Sequence, residues 1–123
     1  MLATWAGWMG GNVFTKGAVA CTNEAAPMLK PNFDPAVRLT QKDDGWYLEI
    51  ATDAAWATGR TRKLVTTELL GKAKVPDLPF ERADGSPYRL DTDYFGAKRN
   101  AANPFPGPSE RPAGGPPSLK VWR

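Results

Sequence analysis

The chain has 123 residues, which allows one small domain with a modest core. Its net charge of +3 comes from Lys and Arg that are spread mostly singly, whereas a nucleic-acid interface needs them clustered along the phosphates. The absence of histidine and the single cysteine exclude imidazole-based catalysis, the usual zinc sites and an internal disulfide.

The N-terminal third is predicted to be mostly loop with one short strand. Glycines before Phe14 argue against a helix there, and a Gly-Gly-Asn turn should lead into a strand at residues 13–14. Residues 22–35 contain three prolines, each of which favours extended backbone at the residue before it. We therefore expect a loop over residues 22–35.

A β-hairpin is the clearest local element. Residues 37–41 and 46–52 have strand-like composition, and the Asp44-Gly45 pair between them favours a tight turn. Side chains alternate between the two faces of a strand. One face of the second strand should therefore be apolar and buried, with Trp46, Leu48 and Ile50, and the other half-polar and exposed.

The second half of the chain is predicted to add short elements. Asp53 should cap one helical turn that runs through Trp56. Residues 64–70 contain Val and Thr, which favour a strand, and residues 119–122 could form a last short strand. No run of about 18 apolar residues occurs, so we expect no membrane span. The N-terminus also lacks the basic and apolar regions of a secretory signal.

These elements define the predicted fold class and its organisation. The chain should be mainly β, with short strands and hairpins joined by long loops rich in Pro and Gly. Residues 1–103 are expected to form the β-rich region, and residues 104–123 a Pro- and Gly-rich tail that ends in a possible strand. Too few strands are predicted to close a barrel, so the region should cover an apolar edge of something larger.

Three acidic residues are weak candidates for catalysis. Asp91 and Asp93 lie two apart on a predicted strand and would share a face, and glycoside hydrolysis uses two carboxylates about 5 to 10 Å apart. They could equally bind local backbone amides in a turn. Glu68 stands among apolar neighbours and, if buried, would need a partner such as Arg62 or Lys63. Structural pairing and catalysis are both open for it.

Aromatic side chains are the candidates for glycan binding, because their faces stack on sugar rings. Trp46, Trp56 and Tyr94 could form such a platform if they are exposed, although most aromatic residues belong to a core or an interface. The acids near Tyr94 are too few for a calcium loop. We expect no metal and no cofactor.

Several short segments carry a family resemblance. They are Gly11 to Phe14, Asp44 to Glu49, Leu64 to Lys74, Asp84 to Pro87 and Asp91 to Gly96. The last segment continues to Arg99 as an Asp-x-x-Gly-x-x-Arg pattern that starts at Asp93, and Gly107-x-x-Glu110 follows it. In these segments the chain resembles the C-terminal region of bacterial right-handed parallel β-helix proteins, many of which end in such a pattern.

The resemblance implies a fold, a location and a class of partner. Such proteins are secreted or periplasmic and are grouped with glycoside hydrolases and polysaccharide lyases, so the implied partner is a polysaccharide or oligosaccharide, bound through the parent protein. Their catalytic groups lie on upstream helical coils, which implies that no catalytic residue carries over to this chain. No coils are present here, so we expect a truncated or split product that could associate through exposed apolar surface.

Three functions remain as hypotheses at this point. The first is a non-catalytic C-terminal region that caps a carbohydrate-active β-helix and rims its groove. The second is a free-standing glycan-binding module that uses Trp46, Trp56 or Tyr94. The third and weakest is a glycosidase that acts through Asp91, Asp93 or Glu68. We expect this isolated chain not to be an enzyme, because the resemblance places the catalytic groups upstream.

Overall fold

The fold is mainly β, as the sequence predicts. A computed structural model describes residues 8–110 and 118–123, so predictions for residues 1–7 and 111–117 lie outside the described residues. The strands are β1 (Val13–Thr15), β2 (Met28–Lys30), β3 (Arg38–Lys42), β4 (Gly45–Glu49) and β5 (Ser118–Trp122). A 3₁₀ turn spans Ala54–Ala57, and one short helix, α1, spans Thr67–Leu70.

The predicted hairpin is confirmed and grows into a three-stranded antiparallel sheet. Strands β3 and β4 pair through Leu39 and Leu48, and the pairing of Lys42 with Gly45 closes a two-residue turn. The predicted last strand is also confirmed, because β5 pairs with the other edge of β4. The order is β3-β4-β5, so the end of the described chain returns to the hairpin.

The loop predicted over residues 22–35 is wrong at its centre. Strand β2 lies there and pairs in parallel with β1, with Val13 opposite Met28. Pro27 and Pro31 stand on either side of β2, so they bound the strand without removing a hydrogen bond from its centre. The extended backbone that prolines favour is therefore used for a short parallel ladder.

The core is small and centred on Trp56. Its ring packs edge-to-face on Phe33, with ring centroids 4.9 Å apart, and lies 6.5 Å from the ring of Phe105. As predicted, Asp53 caps the turn beneath it, because its carboxylate accepts the backbone N–H of Ala55 at 2.8 Å. Phe105 is buried, so the beginning of the Pro-rich segment packs into the core.

The strand predicted over residues 64–70 is wrong, because its second half is α1. The hydroxyl of Thr66 caps this helix by accepting the backbone N–H of Leu69 at 3.3 Å. The next hydroxyl, of Thr67, donates to the carbonyl of Phe80 and accepts the N–H of Tyr88. Both threonines thus use their side chains to fix a turn, a role that competes with strand propensity. Across the described ranges, no helix is long and apolar enough to cross a membrane.

A buried arginine joins the segment before β1 to the 3₁₀ turn. The side chain of Arg62 donates to the carbonyl of Gly11 at 2.7 Å and to the carbonyl of Trp56 at 2.6 Å. Arg62 is 5 % exposed, and burial lowers the pKa of its guanidinium. The bond to Gly11 spans 51 residues of sequence, and together with the bond to Trp56 it holds the N-terminal ladder against the core.

Candidate functional site

The Asp-x-x-Gly-x-x-Arg and Gly-x-x-Glu patterns meet in one polar cluster. Asp93 is 8 % exposed and accepts three backbone hydrogen bonds, two from its own turn and one, at 3.0 Å, from the N–H of Glu110. The guanidinium of Arg99 lies 3.5 Å from the Glu110 carboxylate. It also donates to three backbone carbonyls, those of Thr92, Phe105 and Gly107. The Asp93–Arg99–Glu110 cluster therefore fastens the start of the tail to the preceding turn.

The two predicted aspartates differ in surroundings but share one electrostatic property. The hydrogen bond from the backbone of Glu110 lowers the pKa of Asp93 below its usual value. The hydrogen bond from Lys98, at 2.8 Å, lowers the pKa of Asp91. Glycoside hydrolysis needs one carboxyl that stays protonated to supply a proton to the leaving group. Both carboxyls are instead held ionised, so this pair has no proton donor at neutral pH.

Glu68 lies away from the two aspartates in sequence and plays a local role. It is exposed in the first turn of α1, where the hydroxyl of Thr66 lies 3.4 Å from its carboxylate. An acid in this position favours the helix N-terminus. Because Glu68 is not buried, it needs no partner such as Arg62 or Lys63, and Arg62 is occupied by backbone carbonyls.

The three aromatic candidates lie in different environments. Trp56 is 5 % exposed and belongs to the core, so its ring is not open for stacking on a sugar. Trp46 is half-buried on β4, opposite Trp122 of β5. Tyr94 is 61 % exposed and packs edge-to-face on Phe95 at 5.1 Å. Of the three, Tyr94 is the side chain that presents its ring most openly to solvent.

Tyr94 forms one wall of an open recess beside the end of β5, named here the Tyr94–Trp122 recess. Its lining residues are Asp44, Tyr94, Lys120, Val121, Trp122 and Arg123. The hydroxyl of Tyr94 donates to the carbonyl of Val121 at 2.8 Å, and Trp122 is 72 % exposed. Two polar side chains and two exposed rings therefore share one surface.

The polar part of this recess is an ion pair on the hairpin turn. The ammonium of Lys120 lies 2.8 Å from the carboxylate of Asp44, which also accepts the hydroxyl of Tyr47 at 2.9 Å. The bond from Lys120 lowers the pKa of Asp44, and the same bond raises the pKa of Lys120. Both groups therefore stay charged across the neutral range and can serve as one acceptor and one donor.

A second recess is apolar and lies between the sheet and the core. Its volume is about 390 Å³, and Leu48 and Ile50 of the predicted apolar face line it together with Trp56 and Phe105. That face is therefore apolar, as predicted, but it is half-buried and not closed by other residues of the described chain. A half-open apolar surface of this kind is typical of a contact with other protein.

The described residues hold no obvious metal centre. Across residues 8–110 and 118–123, no group of three or more His, Cys, Asp or Glu side chains is placed to hold a metal ion. The candidate surface is thus made of aromatic rings and one ion pair.

These features define a mainly β region with an aromatic recess and a fastened C-terminal segment. No family model and no curated protein matches the chain. Among solved structures, it is similar to the complex of XylC with xylose, at 27 % sequence identity and a TM-score of 0.78. The match covers 92 % of this chain and 17 % of XylC, so the chain spans less than a fifth of that structure.

Residues that the sequence reasoning missed complete the recess. Asp44 looked like a plain turn residue, and Lys120 and Trp122 looked like parts of a last strand. They come together because β5 pairs with β4, across 76 residues of sequence between Asp44 and Lys120. Sequence alternation gives no signal for this set, because β5 has a register shift against β4, with Lys120 opposite Tyr47 and Trp122 opposite the adjacent Trp46.

Proposed function

We propose that this chain is the non-catalytic C-terminal region of a carbohydrate-active right-handed β-helix protein, where it caps the solenoid and rims its groove. The observation that carries the proposal is the likeness to XylC, which spans nearly all of this chain and a small part of that protein. A region that matches a fraction of a sugar-binding structure is best explained as one part of a larger carbohydrate-related protein. The proposed partner is a polysaccharide, and the proposed location is extracellular or periplasmic.

Among the described residues, one edge of β1 has no strand paired with it, which supports the capping role. The N–H of Met28 donates to the carbonyl of Asn12 at 3.0 Å, which fixes the phase of the β1–β2 ladder. Because backbone groups alternate between the two edges of a strand, the N–H and C=O of Val13 point away from β2. The preceding coil of a parallel solenoid would supply a strand with which this edge pairs.

The apolar recess supports the same role. Burial of its wall would stabilise a contact by roughly 25 cal/mol per Å² of apolar surface removed from water. Other large apolar side chains are exposed as well, Leu39 and Leu78 among them. In the parent protein these surfaces would be covered, whereas in the isolated chain they would promote association.

Amide exchange tests the free edge directly. In the isolated chain we expect the backbone amide of Val13 to exchange fast and that of Phe14, which faces β2, to exchange slowly. Phe14 serves as the matched control in the same strand. Equal protection of both amides in the monomer would mean that the edge is already covered within the chain, and the capping role would lose its support.

Turnover tests the non-catalytic part of the proposal. The pure chain, incubated with xylan and with other soluble polysaccharides, should release no reducing ends and no unsaturated products. Release of sugar that disappears in a folded Asp93→Asn variant would overturn the proposal in favour of the acid–base hypothesis.

A further inference from the structure

In the Tyr94–Trp122 recess, the ring of Tyr94 is fixed by a hydrogen bond, and the backbone of Trp122 is fixed by strand pairing. The bond from the hydroxyl of Tyr94 to Val121 ties its ring to β5, and the backbone N–H of Tyr94 donates to the carbonyl of Pro108 at 2.8 Å. Trp122 stands on a strand that is paired along β4. A ring that is held before a ligand arrives loses little side-chain entropy on binding. Exposed aromatic surface that is held in this way is suited to recognition.

The ion pair beside the rings offers the polar contacts that a sugar needs. Asp44 can accept a hydrogen bond from one hydroxyl, and Lys120 can donate to its neighbour. Both side chains are exposed, so exchanging part of their mutual contact for hydroxyl groups changes their solvation little. An aromatic face beside one acceptor and one donor matches a pyranose with adjacent equatorial hydroxyls.

We propose that the Tyr94–Trp122 recess binds one neutral pyranose unit of a glycan, with an apolar ring face on the aromatic side chains and adjacent hydroxyls on Asp44 and Lys120. The choice of a carbohydrate rests on the proposed function. A neutral unit is favoured over a uronate, because Asp44 already neutralises Lys120 and would repel a second carboxylate at this distance. The site is a surface subsite that holds the glycan without reacting with it.

A titration with xylotetraose, followed by two-dimensional ¹H–¹⁵N NMR, tests this site. We expect a saturable shift of the Trp122 indole N–H and of the Tyr94 and Lys120 backbone amides. The NMR readout separates Trp122 from the other four tryptophans, which a bulk fluorescence measurement would not do. No shift of these signals with xylotetraose up to about 50 mM, well above the millimolar range of a weak single subsite, would overturn the proposal.

Variants assign the binding to its residues. Trp122→Ala and Asp44→Asn should each weaken binding about tenfold, which corresponds to about 1.4 kcal/mol. Phe80→Ala removes another partly exposed aromatic ring, outside the recess, and should leave binding unchanged. Binding that survives Trp122→Ala, or that falls equally in Phe80→Ala, would show non-specific adsorption and overturn the assignment. If Trp122→Ala unfolds the chain, Tyr94→Ala gives the same test from the other wall.

A charged glycan tests whether the recess prefers a neutral sugar unit or a uronate. Tetragalacturonate should bind more weakly than xylotetraose, and tighter binding of it would overturn the choice of a neutral unit. Failure of glycan binding can also be told apart from failure of the capping proposal, because the capping role is tested separately by amide exchange at Val13. A fast-exchanging edge without any glycan shift would leave the capping role in place and remove this subsite.

Discussion

The backbone N–H of Glu110 donates a hydrogen bond of 3.0 Å to the carboxylate of Asp93, which lies 17 residues earlier in the sequence. Both carboxylate oxygens of Asp93 accept backbone N–H groups. Asp93→Asn replaces one of these oxygens with an NH₂ group, which donates, so at least one backbone N–H loses its acceptor. We expect a loss of roughly 1–3 kcal/mol in the free energy of unfolding. Chemical denaturation measures this loss.

Asp84→Asn is the matched control for that variant. The carboxylate of Asp84 accepts both of its bonds, from the backbone and hydroxyl of Ser86, on a single oxygen. An amide oxygen can keep both, so the variant should retain nearly all of the stability. Similar losses in the two variants would mean that the link from Asp93 to Glu110 does not stabilise the fold.

Stability should fall in acid, because the carboxyl pKa values are lowered in the folded state. The pKa of Asp93 is lowered mainly by the N–H of Glu110, and those of Asp44 and Asp91 by lysine partners. A lowered folded-state pKa contributes stability that is present above the unfolded value, about 3.9, and is lost as pH falls through the folded value. We expect a melting temperature that changes little from pH 7 to about 5 and drops below about pH 4.

Melting curves of the parent chain and of Asp93→Asn at several pH values check this expectation. The variant should melt lower at neutral pH and lose less on acidification, because one of the titrating carboxyls is gone. If the melting temperature falls by the same amount in acid for both proteins, Asp93 does not contribute to the loss of stability at low pH.

Arg62→Met should destabilise the fold although the two side chains have similar length. The substitution leaves the carbonyls of Gly11 and Trp56 without their donor, and each buried unsatisfied group costs roughly 1–3 kcal/mol. Removal of one unpaired nitrogen of the guanidinium, which finds no acceptor among the described residues, offsets part of that loss. We expect a net loss that urea denaturation can measure, and little change for Arg38→Met on the exposed β3 strand. Equal stability of Arg62→Met and the parent chain would contradict the structural role of Arg62.

How much of this fold the sequence predicts depends on the range of the contacts. The hairpin and the cap at Asp53 follow from neighbouring residues, so an Asp-Gly turn and a capping carboxylate were enough to find them. Strand β2 and the bond from Arg62 to Gly11 depend on partners far along the chain. For residues 28–30, local composition favoured a loop in place of strand β2. For Arg62, it favoured pairing with the carboxylate of Glu68 in place of bonds to backbone carbonyls.

The candidate site follows the same division. Tyr94 was named because the faces of exposed aromatic side chains stack on sugar rings. Its partners Asp44 and Trp122 could not be added from sequence, since the pairing of β4 with β5 brings them together. Trp56 shows the converse, because nothing in its neighbourhood distinguishes a core tryptophan from an exposed one.

Thr67→Val tests the turn that replaces the predicted strand. The hydroxyl of Thr67 makes two bonds of 2.6 Å, to the carbonyl of Phe80 and from the N–H of Tyr88. Valine keeps the shape and removes both bonds, so we expect a loss of roughly 1–3 kcal/mol by thermal denaturation. Thr58→Val is the control, because its hydroxyl makes one long contact of 3.5 Å to Ala55. A loss as large in the control would point to β-branched packing as the cause.

Gly45→Ala should disturb the Tyr94–Trp122 recess by displacing the backbone of β5 at Trp122. Gly45 is buried at the start of β4, and a Cβ there would collide with the carbonyl oxygen of Trp122. We expect the end of β5 to move, seen as a shift of the Trp122 indole signal and a lower melting temperature.

The control for that variant is Gly17→Ala. Gly17 also has a positive φ, +80°, but a Cβ there meets nothing within 4 Å. Backbone strain of roughly 1 kcal/mol should then be its whole effect, without a change at Trp122. If both variants lose the same stability and neither moves the indole signal, the close approach of Gly45 to β5 does not determine the position of Trp122. A shift confined to Gly45→Ala, together with weaker binding of xylotetraose, would tie the geometry of β5 to the recess.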